Sequence, residues 1–308
     1  MSATIILAFF LFSWIGCAKP PIKRTRLMFD TVVSISIDAP ASLDIDSIFR
    51  DVWGILSEWE SAADIYDSTS EIYVVNSDSG YFLLSTPLAR AVSTGLAYRD
   101  TTLGTFDIRI GSLTEIWDFA GEGHIPTEIE LDIALENMKT PIELAGDTIV
   151  KINIHPRLDL GGLIKGLAVD ELYDYLYKKP EIDAALIDLG GNIRGFKRDD
   201  RGFNIGIRHP ASANELAGNF KLESGMACAT AGDYQRFFVV DGVRYHHILD
   251  PFNGHPARKC GAVTVLAPTG LDADIFSTAL FVMGHEDGVN FLKTHSEIRA
   301  VFLSLIHI

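Results

Sequence analysis

Apolar residues recur along this chain with two periods. From 31 to 38 the sequence TVVSISID alternates apolar and polar positions, the pattern of a strand with one face buried. From 44 to 59, Ile45, Ile48, Phe49, Val52, Ile55, Leu56 and Trp59 fall three and four apart, which predicts an amphipathic helix. A polar loop is predicted near Tyr66 to Ser70. Thr86-Pro87 predicts a helix start, because proline suits the first helical turn. Thr127 and Glu130 have the spacing of a capping box for a helix through about Met138. The second half is richer in strands, predicted near 148–154, 184–189, 203–208, 218–222, 235–240, 243–249 and 261–267. Its helices are predicted over 164–177, 272–283 and 286–294. Long helices with mostly antiparallel strands, and no regular βαβ alternation, predict an α+β fold. No repeat or Pro-, Gly- or Ser-rich linker divides the chain, so residues 18–308 read as one two-lobed unit.

The composition, with 47% hydrophobic and 22% charged residues, is that of a globular protein. A net charge of −15 argues against nucleic acid as a partner, since phosphate contacts need a basic face. The apolar run at 5–15, IILAFFLFSWI, is too short to span a bilayer. At an N-terminus, ending in Gly16-Cys17, it reads as a signal peptide, with a buried N-terminal helix as the alternative. The stretch Trp14-Ile15-Gly16-Cys17 resembles a bacterial lipobox, whose cysteine is lipidated after cleavage. Residues 1–17 are thus expected to direct export. The remainder would be periplasmic, or lipid-anchored on the outer face of a bacterial membrane. Cys228 and Cys260 are expected as two buried thiols, because two cysteines make no disulfide framework. The final AVFLSLIHI reads as a strand with no turn after it, so the chain is expected to continue.

Four stretches carry candidate chemistry. In 229–256, ATAGDYQRFFVVDGVRYHHILDPFNGHP, Asp241-Gly242 predicts a two-residue hairpin turn. Its second strand delivers His246, His247 and Asp250 into a loop stiffened by Pro251 and Pro256. A plain hairpin with incidental histidines is the competing reading. In 157–170, RLDLGGLIKGLAVD, a short strand is expected to reach Gly161-Gly162, with Lys165 and Gly166 opening a helix. Glycines at such a turn let amides approach an anion, and a lysine adds charge; a tight turn with a solvent-facing lysine is the alternative. AALIDLGGNIRG at 184–195 echoes the paired glycines. Asp274 and Thr278, four apart, share a helical face and offer oxygen ligands to a hard cation such as Mg²⁺. Helix capping by Asp272 and Asp274 competes with that reading. In 104–119, Phe106 and Asp107 are suited to a planar ring and its hydroxyls, or belong to a strand-to-helix core segment.

Taken in order, SEIYVVN (70–76), FDIRIGSL (106–113), LDLGGLIKG (158–166), LGG (189–191), GDY (232–234), HILDPFNGHP (247–256) and ADIFSTA (273–279) resemble the ApbE family of FAD:protein FMN transferases. A strand ending at Thr31 belongs to the same pattern, and the match covers nearly the whole chain after residue 17. The resemblance implies an enzyme that binds FAD with Mg²⁺ on its diphosphate. It would transfer FMN to a Ser or Thr hydroxyl of an acceptor flavoprotein and release AMP. Mg²⁺-dependent hydrolysis of FAD to FMN and AMP, or a non-catalytic flavin-binding lipoprotein, remain alternatives. By position, the resemblance implies Asp274, Thr278, the carbonyl of Ile164 and Ser277 as metal ligands. It implies Phe29, Tyr66, Thr105, Phe106, Asp107, Gly161, Leu167 and Ile248 as contacts to FAD. His247 would activate the acceptor hydroxyl, Asp250 would orient that histidine or bind the nucleotide, and Lys165 would offset phosphoryl charge. Three positions depart from the family pattern: Phe29-Asp30-Thr31 for Met-Gly-Thr, Arg109 for Thr or Ser, and Ala231 for Ser.

Overall fold

The alternating TVVSISID segment forms a strand whose every second side chain enters the core: Val33, Ile35 and Ile37 are fully buried. The architecture is that of a computed structural model, which describes residues 20–304 except 152, 211 and 235. The signal-peptide and Cys17 expectations, and the last four residues of the expected C-terminal strand, lie outside the described residues.

In chain order, β1 (Ile22–Met28) and β2 (Thr31–Asp38) form a hairpin, followed by α1 (Ile45–Ala63), α2 (Glu71–Ser77), β3 (Gly80–Leu83) and α3 (Thr86–Thr101). A 3₁₀ turn (Ile108–Ile110) leads into α4 (Gly111–Trp117), α5 (Glu128–Met138), β4 (Ile142–Ala145), β5 (Thr148–Lys151) and α6 (Ile164–Tyr177). Then come β6 (Ala184–Leu189), β7 (Asn192–Lys197), β8 (Phe203–His209), β9 (Ser212–Leu222) and β10 (Ala227–Gly232). The chain continues through β11 (Phe237–Val240), β12 (Val243–His246), β13 (Ala262–Ala267), α7 (Gly270–Leu292) and β14 (Arg299–Leu303).

The fold is α+β. Seven strands form the main antiparallel sheet in the order β1-β2-β6-β7-β10-β13-β14. Its period-two side chains feed two cores. Ala185, Ile187 and Leu189 of β6, Phe196 of β7 and Ala227, Ala229 and Ala231 of β10 pack with α1, α6 and α7. Leu186, Ile193 and Cys228 point to the opposite face, where β8 and β9 cover them with Phe203, Ile205 and Leu222. A third cluster joins α4 and α5 to the β11–β12 hairpin through Leu113, Trp117, Leu131, Phe238 and Tyr245. Among the described residues no helix is long and apolar enough to cross a membrane.

Several elements differ from the sequence expectation. Residues 157–160 form no strand. The buried side chain of Asn76 holds this segment instead, donating to the Leu158 carbonyl at 2.8 Å and accepting its amide at 2.7 Å. One side-chain amide thereby does the work of a neighbouring strand, which no local pattern announces. Residues 104–119 form a turn, the 3₁₀ segment and α4 rather than a strand leading into a helix. Thr31 begins a strand instead of ending one, because Phe29 and Asp30, at φ 53° and 55°, turn the chain in the left-handed region. The expected strand at 148–154 stops at Lys151, and the one at 243–249 stops at His246. The helices expected at 272–283 and 286–294, by contrast, are both present as the two halves of α7, separated at Gly284, whose non-helical φ of 78° suits glycine. The capping box at Thr127 and Glu130 is present.

What positions the functional region is the crossing of α6 and α7. Gly166 and Gly270 bring the two backbones into contact, and a Cβ on Gly166 would lie 2.5 Å from the Gly270 carbonyl oxygen. Neither backbone yields cheaply inside a close-packed core. Gly166→Ala is expected to destabilise the protein by about 2 kcal/mol through overpacking. At this chain size that lowers Tm by roughly 4–8 °C in a thermal melt. An unchanged melt would mean the crossing is not as tight as described.

Candidate active site

The N-termini of α6 and α7 meet where three sequence-predicted residues converge. Asp274, one turn into α7, is 5% exposed, and its Oδ2 accepts the amide of Gly166 at 2.9 Å. It does not cap its own helix. That role belongs to Thr269, whose hydroxyl oxygen accepts the Asp272 amide at 3.0 Å. Burial pushes the Asp274 carboxyl upward, and the positive charge of Lys165 pulls against it. Lys165 also acts on His247, so lysine, histidine and aspartate share one electrostatic neighbourhood.

The α7 terminus is anchored by a residue the sequence reading passed over. Asp170 of α6 accepts the amides of Gly270 at 2.6 Å and Leu271 at 3.0 Å, and pairs with Arg194 at 2.7 Å. A carboxylate at a helix N-terminus satisfies orphan amides and complements the helix dipole. Arg194, in turn, stacks on Tyr173 at 3.9 Å and donates to the Gly225 carbonyl at 3.0 Å.

His247 comes from the loop after β12. Asp241 and Gly242, at φ 51° and 79°, make the expected two-residue turn. Within 247–256, the amides of Asp250 and Gly254 bond to the carbonyls of His255 and Asp250, both at 2.8 Å. Trp117 Nε1 donates to the Gly254 carbonyl at 2.8 Å, tying this loop to α4. His246 is buried and its Nε2 donates to the Ala257 carbonyl at 2.7 Å, a structural role in keeping with its strand position. His247 faces the other way, and its Nδ1 donates to the Arg236 carbonyl at 3.2 Å. A carbonyl can only accept, so Nδ1 carries the hydrogen and Nε2 keeps its lone pair. Burial, then the charge of Arg236, pushes its pKa down to about 3.

Asp250 does not orient His247, contrary to one of the two roles expected for it. Its oxygens accept the Phe252 amide at 2.9 Å and the Asn253 side chain at 3.2 Å, closing its own loop. Orientation of the histidine falls to Arg236, which also pairs with Asp30 of the β1–β2 turn at 2.7 Å. Neither residue is adjacent to His247 in sequence, so spacing alone could not find them.

The remaining expected contacts are distributed around this centre. Phe106 is buried, and its ring sits over Gly162, where a Cβ would come within 2.9 Å of it. The same glycine lies beside the Thr278 hydroxyl, at 3.4 Å from such a Cβ. Gly161 is exposed, its amide held by Asp159 at 2.8 Å. Tyr66 is 46% exposed, yet partial burial, and after it the negative charge of Asp159, push its hydroxyl up to about 12. Thr105 donates to the Thr102 carbonyl at 2.7 Å. The Asp107 carboxylate is engaged by Arg109 at 2.6 Å and Arg99 at 3.1 Å. Phe29 is only partly buried, and its amide donates to Glu60 at 2.5 Å. Leu167 is fully buried and Ile248 nearly so, which places both side chains in the core. Ser277 donates its hydroxyl to the Asp274 carbonyl at 2.8 Å. The Gly190-Gly191 pair is the hairpin turn between β6 and β7, at φ 66° and 104°. Cys228 and Cys260 are free thiols, the first buried and the second partly so.

A lysine, a buried carboxylate and a neutral histidine define a class of site suited to phosphoryl chemistry. The oxygens of Asp274, Thr278 and the Ile164 carbonyl are hard donors that fit Mg²⁺. Among the described residues no group of three His, Cys, Asp or Glu side chains could hold a metal, so any cation site here rests on one carboxylate and neutral oxygens.

The family model described as "ApbE family" matches residues 29–302, and the chain belongs to that family. A protein of Vibrio cholerae named FAD:protein FMN transferase is 32% identical over 289 residues, covering 89% of this chain and 85% of its own. One of the same name from Treponema pallidum is 27% identical, covering 91% and 84%. Among solved structures, the ApbE protein of Thermotoga maritima superposes with a TM-score of 0.83 at 27% identity, covering 92% of this chain and 94% of its own. Flavin transferase ApbE of Vibrio cholerae does so with a TM-score of 0.80, also at 27% identity, covering 92% and 94%.

The two histidines set a pH dependence. Burial holds His246 at about 4 and His247 at about 3, against 6.5 for an unperturbed histidine. Below pH 6.5 the unfolded chain takes up protons that the folded chain refuses. Their contribution is therefore full above pH 6.5 and is lost as pH falls toward 4. His246, which is 4% exposed, adds a slope of up to about 1.4 kcal/mol per pH unit, and the less buried His247 adds less. Urea unfolding at several pH values should show wild type losing stability faster than His246→Gln between pH 6.5 and 4.5. Parallel slopes would count against the neutral buried histidine.

Proposed function

We propose that this protein transfers the FMN moiety of FAD to a Ser or Thr hydroxyl of an acceptor flavoprotein and releases AMP. The observation that carries this reading is the convergence of Asp274, Lys165 and neutral His247 on the paired N-termini of α6 and α7. The acceptor oxygen attacks the phosphorus on the flavin side of the diphosphate. The bond from that phosphorus to the bridging oxygen breaks, and the bridging oxygen leaves with AMP. Nε2 of His247 would take the hydroxyl proton, a role supported by the bond from Nδ1 to the Arg236 carbonyl, which leaves the Nε2 lone pair free. A bound diphosphate would counter the positive charges of Arg236 and Lys165, raising the basicity of that nitrogen when substrate is in place. Lys165 offsets charge on the transferring group. Bound Mg²⁺, held by Asp274, Thr278 and the Ile164 carbonyl, would supply further charge neutralisation at the phosphate. We also propose, from the lipobox-like end at Cys17, that the protein is exported and membrane-anchored; mass spectrometry of the mature N-terminus tests this.

The deciding assay incubates the protein with FAD, Mg²⁺ and an acceptor domain. It reads covalent flavin fluorescence on a denaturing gel together with released AMP. A fluorescent acceptor is expected. AMP and FMN without labelled acceptor would mean hydrolysis, and no product at all would leave a binding protein. Asp274→Ala is expected to abolish Mg²⁺-dependent turnover, and full activity in that variant would remove the metal assignment. His247→Ala is expected to slow transfer by about 10²–10⁴-fold, the usual worth of a general base. FAD affinity should fall far less; an equal loss of both would sink the base role.

A further inference from the structure

Beside Phe196, strand β7 presents two polar side chains to the helices, and only one is fully paired. Because residues two apart share a face, Asn192 and Arg194 both point away from Ile193, which packs on the opposite side. Arg194 pairs with Asp170 of α6. Asn192 is 4% exposed, and its amide is directed at Asp274 of α7. Yet Nδ2 makes no hydrogen bond of normal geometry among the described residues, so its contact with Asp274 leaves its donors incompletely used. Leaving a buried amide unpaired is costly, and folded proteins rarely do so without a reason.

The two pairings differ in charge for a physical reason. At Asp170 a guanidinium neutralises the carboxylate permanently, as suits an anchor. At Asp274 a neutral amide orients the carboxylate without consuming its charge, which stays available to a cation. A lysine or arginine at 192 would compete with that cation. The amide keeps hydrogens to spare beside a centre framed by helix N-termini and Lys165.

We infer that Asn192 is a positioning residue of the transfer centre, which orients Asp274 and donates a hydrogen bond to the diphosphate of the bound dinucleotide. This rests on the function proposed above, and no residue assignment made there includes it. The buried donor finds its partner when substrate arrives.

The test titrates the full-length protein with FAD, and separately with riboflavin, which has no phosphate, by flavin fluorescence. Mn²⁺ binding is followed by electron paramagnetic resonance and folding by thermal melts. Asn192→Ala should weaken FAD binding by at least about tenfold, as for loss of a hydrogen bond to a charged group. Riboflavin binding should stay at the wild-type level. The isosteric Asn192→Asp, which preserves shape, should weaken FAD binding further while retaining Mn²⁺, because it sets a second negative charge against the diphosphate. Wild-type FAD affinity in both variants would overturn the inference, as would equal losses for FAD and riboflavin. Asp274→Ala run in parallel separates the two readings. If it loses Mn²⁺ while Asn192→Ala binds FAD normally, only the Asn192 assignment fails. If wild type binds neither FAD nor Mn²⁺, the proposed function itself fails.

Discussion

The carboxylate of Asp170 is the point from which the functional geometry hangs. It binds the first amides of α7, and Arg194 neutralises it in a setting from which water is largely excluded. Two charges buried together repay their desolvation only when further hydrogen bonds satisfy them, and here the helix amides and the Gly225 carbonyl do so. The anchor lets two helix N-termini approach until glycine meets glycine. Everything downstream follows from that approach, because the turn that carries Asp274 reaches the first amides of α6 only at this separation.

The loop that carries His247 is held by a different kind of restraint. A hairpin and a proline-bounded loop are held to α4 by Trp117 and closed internally by Asp250. The two consecutive histidines of β12 and its loop then divide by alternation. His246 enters the core, and His247 turns to the centre with its tautomer set by a backbone carbonyl. Burial keeps both neutral, for structural benefit in one case and chemical use in the other. The same device, a polar group held away from water, recurs in Asn76, Asp274 and Asn192. Where the partner is in the chain it braces a segment, as at Leu158.

Local sequence determined a good deal. Alternation gave β2, three-four spacing gave α1, the Thr127–Glu130 pair gave the start of α5, and Asp241-Gly242 gave the hairpin turn. The ordered motifs were specific enough to indicate the family, because each places a particular residue type at a turn or helix start where backbone geometry demands it. The break between the two halves of α7 at Gly284 was legible, but the absence of a strand at 157–160 was not. Periodicity describes which face is buried, and says nothing of a distant amide that stands in for a strand. The partners of the site were equally hidden. Asp170 with Arg194 and Arg236 with His247 are joined across the fold, and Asn192 is brought beside Asp274 without a hydrogen bond of normal geometry. Sequence supplies the chemistry of a side chain, since that is a property of the residue. Its pKa, its tautomer and its partner depend on burial and on charges brought near by the fold, so only the tertiary structure decided them.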